Sequence, residues 1–303
     1  TRWGLRLSYR RPLLNLFRLT FFVEDIKIKL NYYRENHRNY RPSTLRRHTS
    51  NLFAHMISAT LKALLRRTRH PRQTPFSTTP PPPTTSHFLA SRWPQLAPAL
   101  TSQRTVPPEV AMAVIKESFE QLGKEPYFGE PVTHEEHALQ CATLAEQAGM
   151  PTDVVVAAFL HDIGHICASD DAPHMNTDGG PDVGVVDHET VGRELLQVLG
   201  FSKYVTELVE SHVPSKRYLI SVDKEYERNL AQDSRRSLTF QGGVMSSEEV
   251  VEFDNLPKET KALYLQFREW DEQGKQPGVD TKPIEHYYPM VERHLRRNCG
   301  AER

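Results

Sequence analysis

The chain has 303 residues, enough for one or two domains, and its 38 Lys+Arg balance its 38 Asp+Glu. Residues 1–105 hold 19 Lys+Arg against three acids (Glu24, Asp25, Glu35), and residues 106–303 hold 19 against 35, so the two parts carry net charges of +16 and −16. The acidic part excludes nucleic acid as its partner, three cysteines (Cys141, Cys167, Cys299) without a CxxC pattern exclude a disulfide framework and point to a reducing compartment, and no apolar run reaches the roughly 18 residues that span a bilayer.

Residues 1–105 read as a basic extension of low order. Thr78-Thr79-Pro80-Pro81-Pro82-Pro83-Thr84-Thr85 is extended and solvated by composition, and no acid occurs between Asn36 and Pro108. Met56 opens a short, acid-free, amphipathic segment, Ile57 to Arg67, with the composition of a mitochondrial presequence. A basic nucleic-acid arm and a plain disordered tail are the rival readings. Localisation is therefore expected to be cytoplasmic, or mitochondrial if the Met56 segment acts as a presequence.

Residues 106–303 are expected to form one domain. Pro107-Pro108-Glu109 opens a helix to about Leu122, with proline and acid in its first turn. Tyr127-Phe128-Gly129-Glu130-Pro131 is a loop. Thr133 and Glu136 make a capping box for a helix that carries His137 and stops at Gly149. Pro151 begins a strongly apolar helix, Val154 to Leu160, ending in His161-Asp162, with His165 four residues on. A Gly/Asp-rich loop covers 168–187. Asp187 is the expected cap of a helix from His188 to Leu199, and Ser202 of one from Lys203 to about His212. Further helices are expected over 222–231, from Pro257 through Asp271, and over 284–297, with 234–245 irregular around Gly242-Gly243. Nothing alternates with period two, so the domain is all-α.

His137, His161, Asp162, His188, His212 and Asp271 each fall on a helix or helix end. Imidazoles and carboxylates are good transition-metal ligands, and six of them suffice for two ions, with Asp162 able to bridge. In this order they resemble the HD-domain superfamily of helical metalloproteins. Tyr127 and Glu130, spaced Tyr-x-x-Glu before His137, resemble a signature of its mixed-valence di-iron oxygenases, which cleave carbon–phosphorus bonds. Lys216, the stretch Ser234 to Gly243, and Arg268-Glu269-Trp270-Asp271 resemble that family's phosphonate-binding lysine, substrate loop and last ligand helix. The resemblance covers about residues 110–280. The loop between Asp162 and His188 looks longer than in the family, and its Asp170, Asp171 and His174 are rival ligands.

The resemblance implies an HD-domain helical bundle with a buried dinuclear site holding two irons, Fe(II)/Fe(III). It implies oxidative cleavage of a small 1-hydroxyphosphonate by dioxygen to a carboxylate and phosphate. Asp162 would bridge, Tyr127 would shield an iron until substrate arrives, and Glu130 would face an amino or trimethylammonium end. Lys216, Ser234, Ser237, Gln241 and His165 would bind the phosphonate, and Arg268 would orient Asp271 or touch phosphonate. The alternatives are an HD phosphohydrolase using Mn, Mg or Zn on a phosphomonoester or nucleotide, and a non-catalytic module for a phosphorylated ligand. As ordinary residues, Lys216 would be part of a solvated charge run, Arg268 a partner of Glu272 at i+4, and Gln241-Gly242-Gly243 a turn. His134, His286 and His294 are expected at the surface.

Overall fold

A computed structural model describes residues 84–102, 104–176 and 180–301. They are helical, and there is no strand among the described residues, only the isolated bridges Pro126–Thr133 and His174–Val185. The described residues all fall within one compact unit. The basic stretches, the Met56 segment, Asp178 and Gly179 lie outside the described residues.

The first helices, α1 (Thr85–Arg92) and α2 (Ala97–Ser102), lie upstream of the expected boundary at residue 106. Phe88, Leu89, Trp93, Leu96 and Ala99 are nonetheless buried in the one hydrophobic core. The Trp93 indole donates to the Cys167 carbonyl at 2.9 Å. The domain therefore starts some twenty residues earlier than charge alone indicated, because a charge count does not register five apolar side chains.

Helix α3 (Pro108–Leu122) and α4 (His134–Gln147) start where expected, and the Thr133–Glu136 capping box of α4 is formed in both directions. Helix α5 (Thr152–Leu160) is buried from Val154 through Leu160, as a helix enclosed on all sides must be. Around it pack α4, α8 (Lys203–Val222), α12 (Lys258–Gln273) and α13 (Ile284–Ala301). Phe159 stacks on Phe119 at 4.9 Å and on Tyr287 at 5.5 Å.

The chain breaks its helix at His161-Asp162 and restarts as α6 (Ile163–Cys167). This turn faces the two polar side chains into the bundle instead of along it. Helix α7 (His188–Val198) then crosses α6 at very short range. A Cβ on Gly164 would run into the His188 carbonyl and lie 2.9 Å from the Gly192 nitrogen. Backbone cannot retreat from such a contact, so Gly164→Ala is expected to cost about 3 kcal/mol, the upper end for overpacking. That is a Tm drop of roughly 6–12 °C for a domain of this size, read by circular dichroism. An unchanged Tm would contradict the close crossing.

Four expectations need correction. Helix α8 does not stop near His212 but continues through Pro214 to Val222, because Val213, Ser215, Lys216 and Tyr218 are all buried and packing outweighs the hydrogen bond lost at proline. Asp187 adopts the left-handed region at φ 54° and makes no side-chain cap. The helix expected over 222–231 is only α9 (Lys224–Asn229), capped by Asp223. Part of the stretch expected to be irregular is α10 (Gln232–Leu238), which presents Ser234 and Ser237 on one buried face. Helix α11 (Ser247–Asp254) and the loop before it close the far side.

Candidate metal centre and adjoining cavity

Helices α4, α7, α8 and α12 and the α5–α6 break converge six side chains on one buried point: His137, His161, Asp162, His188, His212 and Asp271. Second-sphere bonds fix three of the four imidazoles, while His188 Nδ1 has no hydrogen-bond partner. His137 Nδ1 donates to the Gly274 carbonyl at 2.8 Å, His161 Nδ1 to Ala158 at 2.9 Å, and His212 Nδ1 to Val209 at 2.7 Å. With Nδ1 carrying the proton, each Nε2 presents a lone pair inward.

These lone pairs point at one another and at carboxylate oxygens. Nε2 of His137 and His161 are 3.1 Å apart, and those of His188 and His212 are 2.9 Å apart. Asp162 Oδ2 lies 3.4 and 3.3 Å from the first pair, and its Oδ1 lies 3.5 Å from both members of the second. Asp271 Oδ1 lies 3.4 Å from His137 Nε2, is buried, and has no hydrogen-bond partner. Apart from the Tyr127 hydroxyl on Asp162 Oδ2 and Arg268 on Asp271 Oδ2, these buried acceptors face one another without donors, an arrangement that suits cations. The donor set of neutral imidazoles and carboxylates fits transition-metal ions, and one Asp162 oxygen faces each imidazole pair. Cys141 also comes within ligand distance of His137 and His161, but its thiol donates to the Trp270 carbonyl at 3.5 Å. Asp271 therefore completes the first group better than Cys141.

The charges and burial of the cluster act on one another. Burial opposes charge on His161, but the Asp162 carboxylate outweighs it and raises the imidazole to about 10, so without a metal a proton takes the Nε2 position that a cation would occupy. His212 is pushed by burial down to about 3, against the pull of Asp162. Burial would raise Asp162, yet His161 and its hydrogen bonds hold the carboxyl well below the usual range.

A small cavity of about 40 Å³ opens beside this point. Tyr127, Glu130, Asp162, His165, His188, His212, Lys216, Ser234, Ser237, Gln241, Arg268 and Asp271 all border it, while His137 and His161 lie behind. The Tyr127 hydroxyl donates to Asp162 Oδ2 at 2.6 Å, and burial with the neighbouring Asp162 keeps the phenol protonated. His165 is not turned toward the cluster of lone pairs. Its Nδ1 accepts from the Val185 N–H at 3.1 Å, so the neutral ring carries its proton on Nε2 as a donor, and burial holds it neutral. Lys216 is 3% exposed, far from a solvated charge run, and donates to Ser237 Oγ at 2.9 Å. Burial, reinforced by Arg268 and Lys275, lowers its ammonium well below the usual range. The Gln241 side-chain oxygen is buried without a partner.

Arg268 is committed at each nitrogen to a neighbour, although its Nη2 forms no hydrogen bond. Its Nε donates to the Tyr226 hydroxyl at 2.9 Å, and its other nitrogens pair with Asp271 and Glu272. Of the two roles expected for it, orienting Asp271 is the one its contacts support.

The rival ligands are elsewhere. His174 pairs with Asp182 at 2.6 Å, Asp171 accepts from Ser169, and Asp170 faces Arg92 at 3.8 Å. His134 and His294 are not surface residues. His134 is buried edge-on to Tyr127, and burial takes it down to about 4. His294 is buried between Asp153 and the Ser202 N–H. His286 is half-buried and pairs with Glu146. Reading by residue pattern passed over Lys275, Tyr226 and Asp233, which the fold brings to the cavity wall or to Arg268. Lys275 stands four residues after Asp271, a spacing that would have pointed to it had Gly274 not ended the helix between them.

The HD domain family model matches residues 135–238. The chain is 39% identical over 183 residues to a [1-hydroxy-2-(trimethylamino)ethyl]phosphonate dioxygenase (glycine-betaine-forming) of Leisingera caerulea, a match covering 60% of this chain and 89% of that one. It is 38% identical over 168 residues to a hydroxymethylphosphonate dioxygenase of Gimesia maris, covering 55% and 79%. It is 37% identical over 178 residues to uncharacterized protein L432 of Acanthamoeba polyphaga mimivirus, covering 58% and 78%. The chain belongs to the HD-domain superfamily. Within it the chain is an HD-domain oxygenase with a buried metal site. No helix among the described residues is long and apolar enough to cross a membrane.

Proposed function

We propose that this oxygenase uses two iron ions, Fe(II) and Fe(III), to cleave the carbon–phosphorus bond of a small 1-hydroxyphosphonate with an amino or trimethylammonio end. The products are a carboxylate and inorganic phosphate, and the two oxygen atoms they gain balance one dioxygen. The observation that carries the reading is Asp162, whose two oxygens face two separate imidazole pairs beside a cavity lined by both cations and acids.

His137, His161 and Asp271 would hold one ion, His188 and His212 the other, and Asp162 both. When bound, the irons supply electrons and the positions at which dioxygen is reduced. The protein's own groups do the rest. Lys216 and the Ser234–Ser237 face bind the phosphonate, with the His165 Nε2–H as a further donor. Gln241 lines the same cavity and would donate through its Nε2, since the atom without a partner is its acceptor oxygen. Tyr127, held against Asp162, covers the centre until substrate displaces it. Glu130 lines the same cavity, and Asp233 abuts the adjoining turn at Gly129, so a cationic substrate end meets two carboxylates. The names of the two dioxygenase relatives support a phosphonate substrate, and the acidic wall favours the one with a cationic tail.

Lys216→Ala removes a charge-assisted contact of about 1.5–3 kcal/mol, so KM for the phosphonate should rise roughly 10- to 150-fold with kcat less affected. An unchanged KM would return Lys216 to a structural role. The reading as a whole is tested by incubating the iron-loaded chain with a 1-hydroxyphosphonate in air and without oxygen. Phosphate release that requires oxygen supports it. Oxygen-independent release from phosphomonoesters with Mn or Mg would replace it with a phosphohydrolase.

A further inference from the structure

The tautomer of His165 is set by a backbone group that is itself held from outside the cavity. His165 Nδ1 accepts the Val185 N–H at 3.1 Å, which leaves the ring proton on Nε2. The ring stacks on His188 at 3.9 Å and meets Phe128 at 4.6 Å. Val185 reaches it only because Gly184 precedes it. Gly184 has φ 107°, and a Cβ there would collide with His165 Cε1 and lie 2.7 Å from Nδ1 and 2.9 Å from Phe128 Cε2.

Gly184 and Val185 belong to a short antiparallel pairing between residues 173–175 and 183–186. The Met175 N–H donates to the Gly184 carbonyl at 2.7 Å, the Val183 N–H to Met175 at 3.0 Å and the Val186 N–H to Pro173 at 2.8 Å. Met175 and Val183 are buried and border the cavity. One carboxylate ties the two runs together. Asp182 Oδ2 accepts from His174 Nδ1 at 2.6 Å, and its Oδ1 accepts the Gly184 N–H at 2.9 Å. The Asp182 side chain is 47% exposed and does not border the cavity, so nothing in the proposed reaction touches it.

We propose that Asp182 is a positioning residue for substrate binding. By holding Gly184 and His174 it fixes the Val185 N–H against His165 Nδ1, and so keeps His165 in the one tautomer that donates from Nε2. The proposal rests on the phosphonate reading above, in which that Nε2–H is a donor to the substrate. Two rivals are a staple that matters to folding alone and an effect passed through Phe128, which Gly184 also abuts.

The test has two arms. The first reads the histidine ring nitrogens by ¹⁵N NMR in full chain loaded with diamagnetic Zn(II), with His165→Phe assigning the resonances. Wild type should show His165 protonated at Nε2 alone. Asp182→Ala should lose that single tautomer with little change in Tm, and Asp182→Asn, which keeps an acceptor for Gly184, should retain it. The second arm is kinetic, on the iron-loaded chain. Asp182→Ala should raise KM for a 1-hydroxyphosphonate about 3- to 10-fold, the scale of one neutral hydrogen bond, with kcat less affected. The same substitution made in His165→Phe should raise KM no further, because the effect passes through the imidazole. An unchanged His165 tautomer in Asp182→Ala, or a KM rise that persists in His165→Phe, would overturn the proposal and leave the phosphonate reading standing. A chain that turns over no phosphonate, yet loses the tautomer in Asp182→Ala, would sink that reading and leave the positioning of His165 in place.

Discussion

Asp162→Ala should lose both metal ions and at least about a thousand-fold in activity. Its two carboxylate oxygens are the only atoms that face both imidazole pairs among the described residues of the cluster. Without them, four Nε2 lone pairs converge with only Asp271 to balance two cations. A metal centre supplies several kcal/mol of charge stabilisation, and each 1.36 kcal/mol is one decade in rate, so three decades is the expected scale. Metal analysis by mass spectrometry separates this from a folding defect. A variant that keeps two metals per chain would refute bridging by Asp162. Asp162→Asn, which keeps the shape but not the charge, should retain the fold and still bind metal poorly. It should also keep a hydrogen bond from the Tyr127 hydroxyl, so the Tyr127 loop should stay closed.

Arg268→Met is expected to destabilise the domain by about 3–5 kcal/mol. The guanidinium is 2% exposed and its nitrogens serve Tyr226, Asp271 and Glu272. Removing one partner of a buried pair leaves an uncompensated charge and costs about 3–5 kcal/mol. The burial of Asp271 opposes its charge, and Arg268 with Lys275 holds the carboxyl well below the usual range. With Arg268 gone, a bound metal becomes the chief compensation. The loss in Tm should therefore be large in metal-free protein and partly reversed by metal, an example of ligand linkage. Lysine should rescue poorly, because a point charge cannot reach three partners that a planar fork spans. A Tm loss identical with and without metal would mean that Arg268 supports the fold without supporting Asp271.

The six clustered side chains were legible because each sits at a helix or a helix end, and the apolar run Val154 to Leu160 made the His161-Asp162 pair necessarily deep. The Thr133–Glu136 capping box was legible because it is local chemistry. Three features were not legible, for physical reasons. Burial of His134 and His294 depends on which helix packs over them, and composition does not carry that. The continuation of α8 past Pro214 reflects tertiary burial of Lys216 and Tyr218, which local propensity cannot register. Lys275 was hidden by the glycine that ends α12, although that same glycine is what lets the chain turn inward. The sequence also placed the domain boundary by charge, whereas Phe88, Leu89 and Trp93 place it by burial.

The central claim is a pair of irons joined through Asp162 and reached by a phosphonate in the adjoining cavity. Low-temperature EPR tests it most directly, on the full chain purified without oxygen, loaded with iron and partly oxidised, with and without a 1-hydroxyphosphonate. A spin-coupled Fe(II)/Fe(III) signal that changes when the phosphonate is added, and is absent from Asp162→Ala, is the expected result. Iron bound only as isolated, uncoupled ions, with a spectrum indifferent to phosphonate, would contradict it.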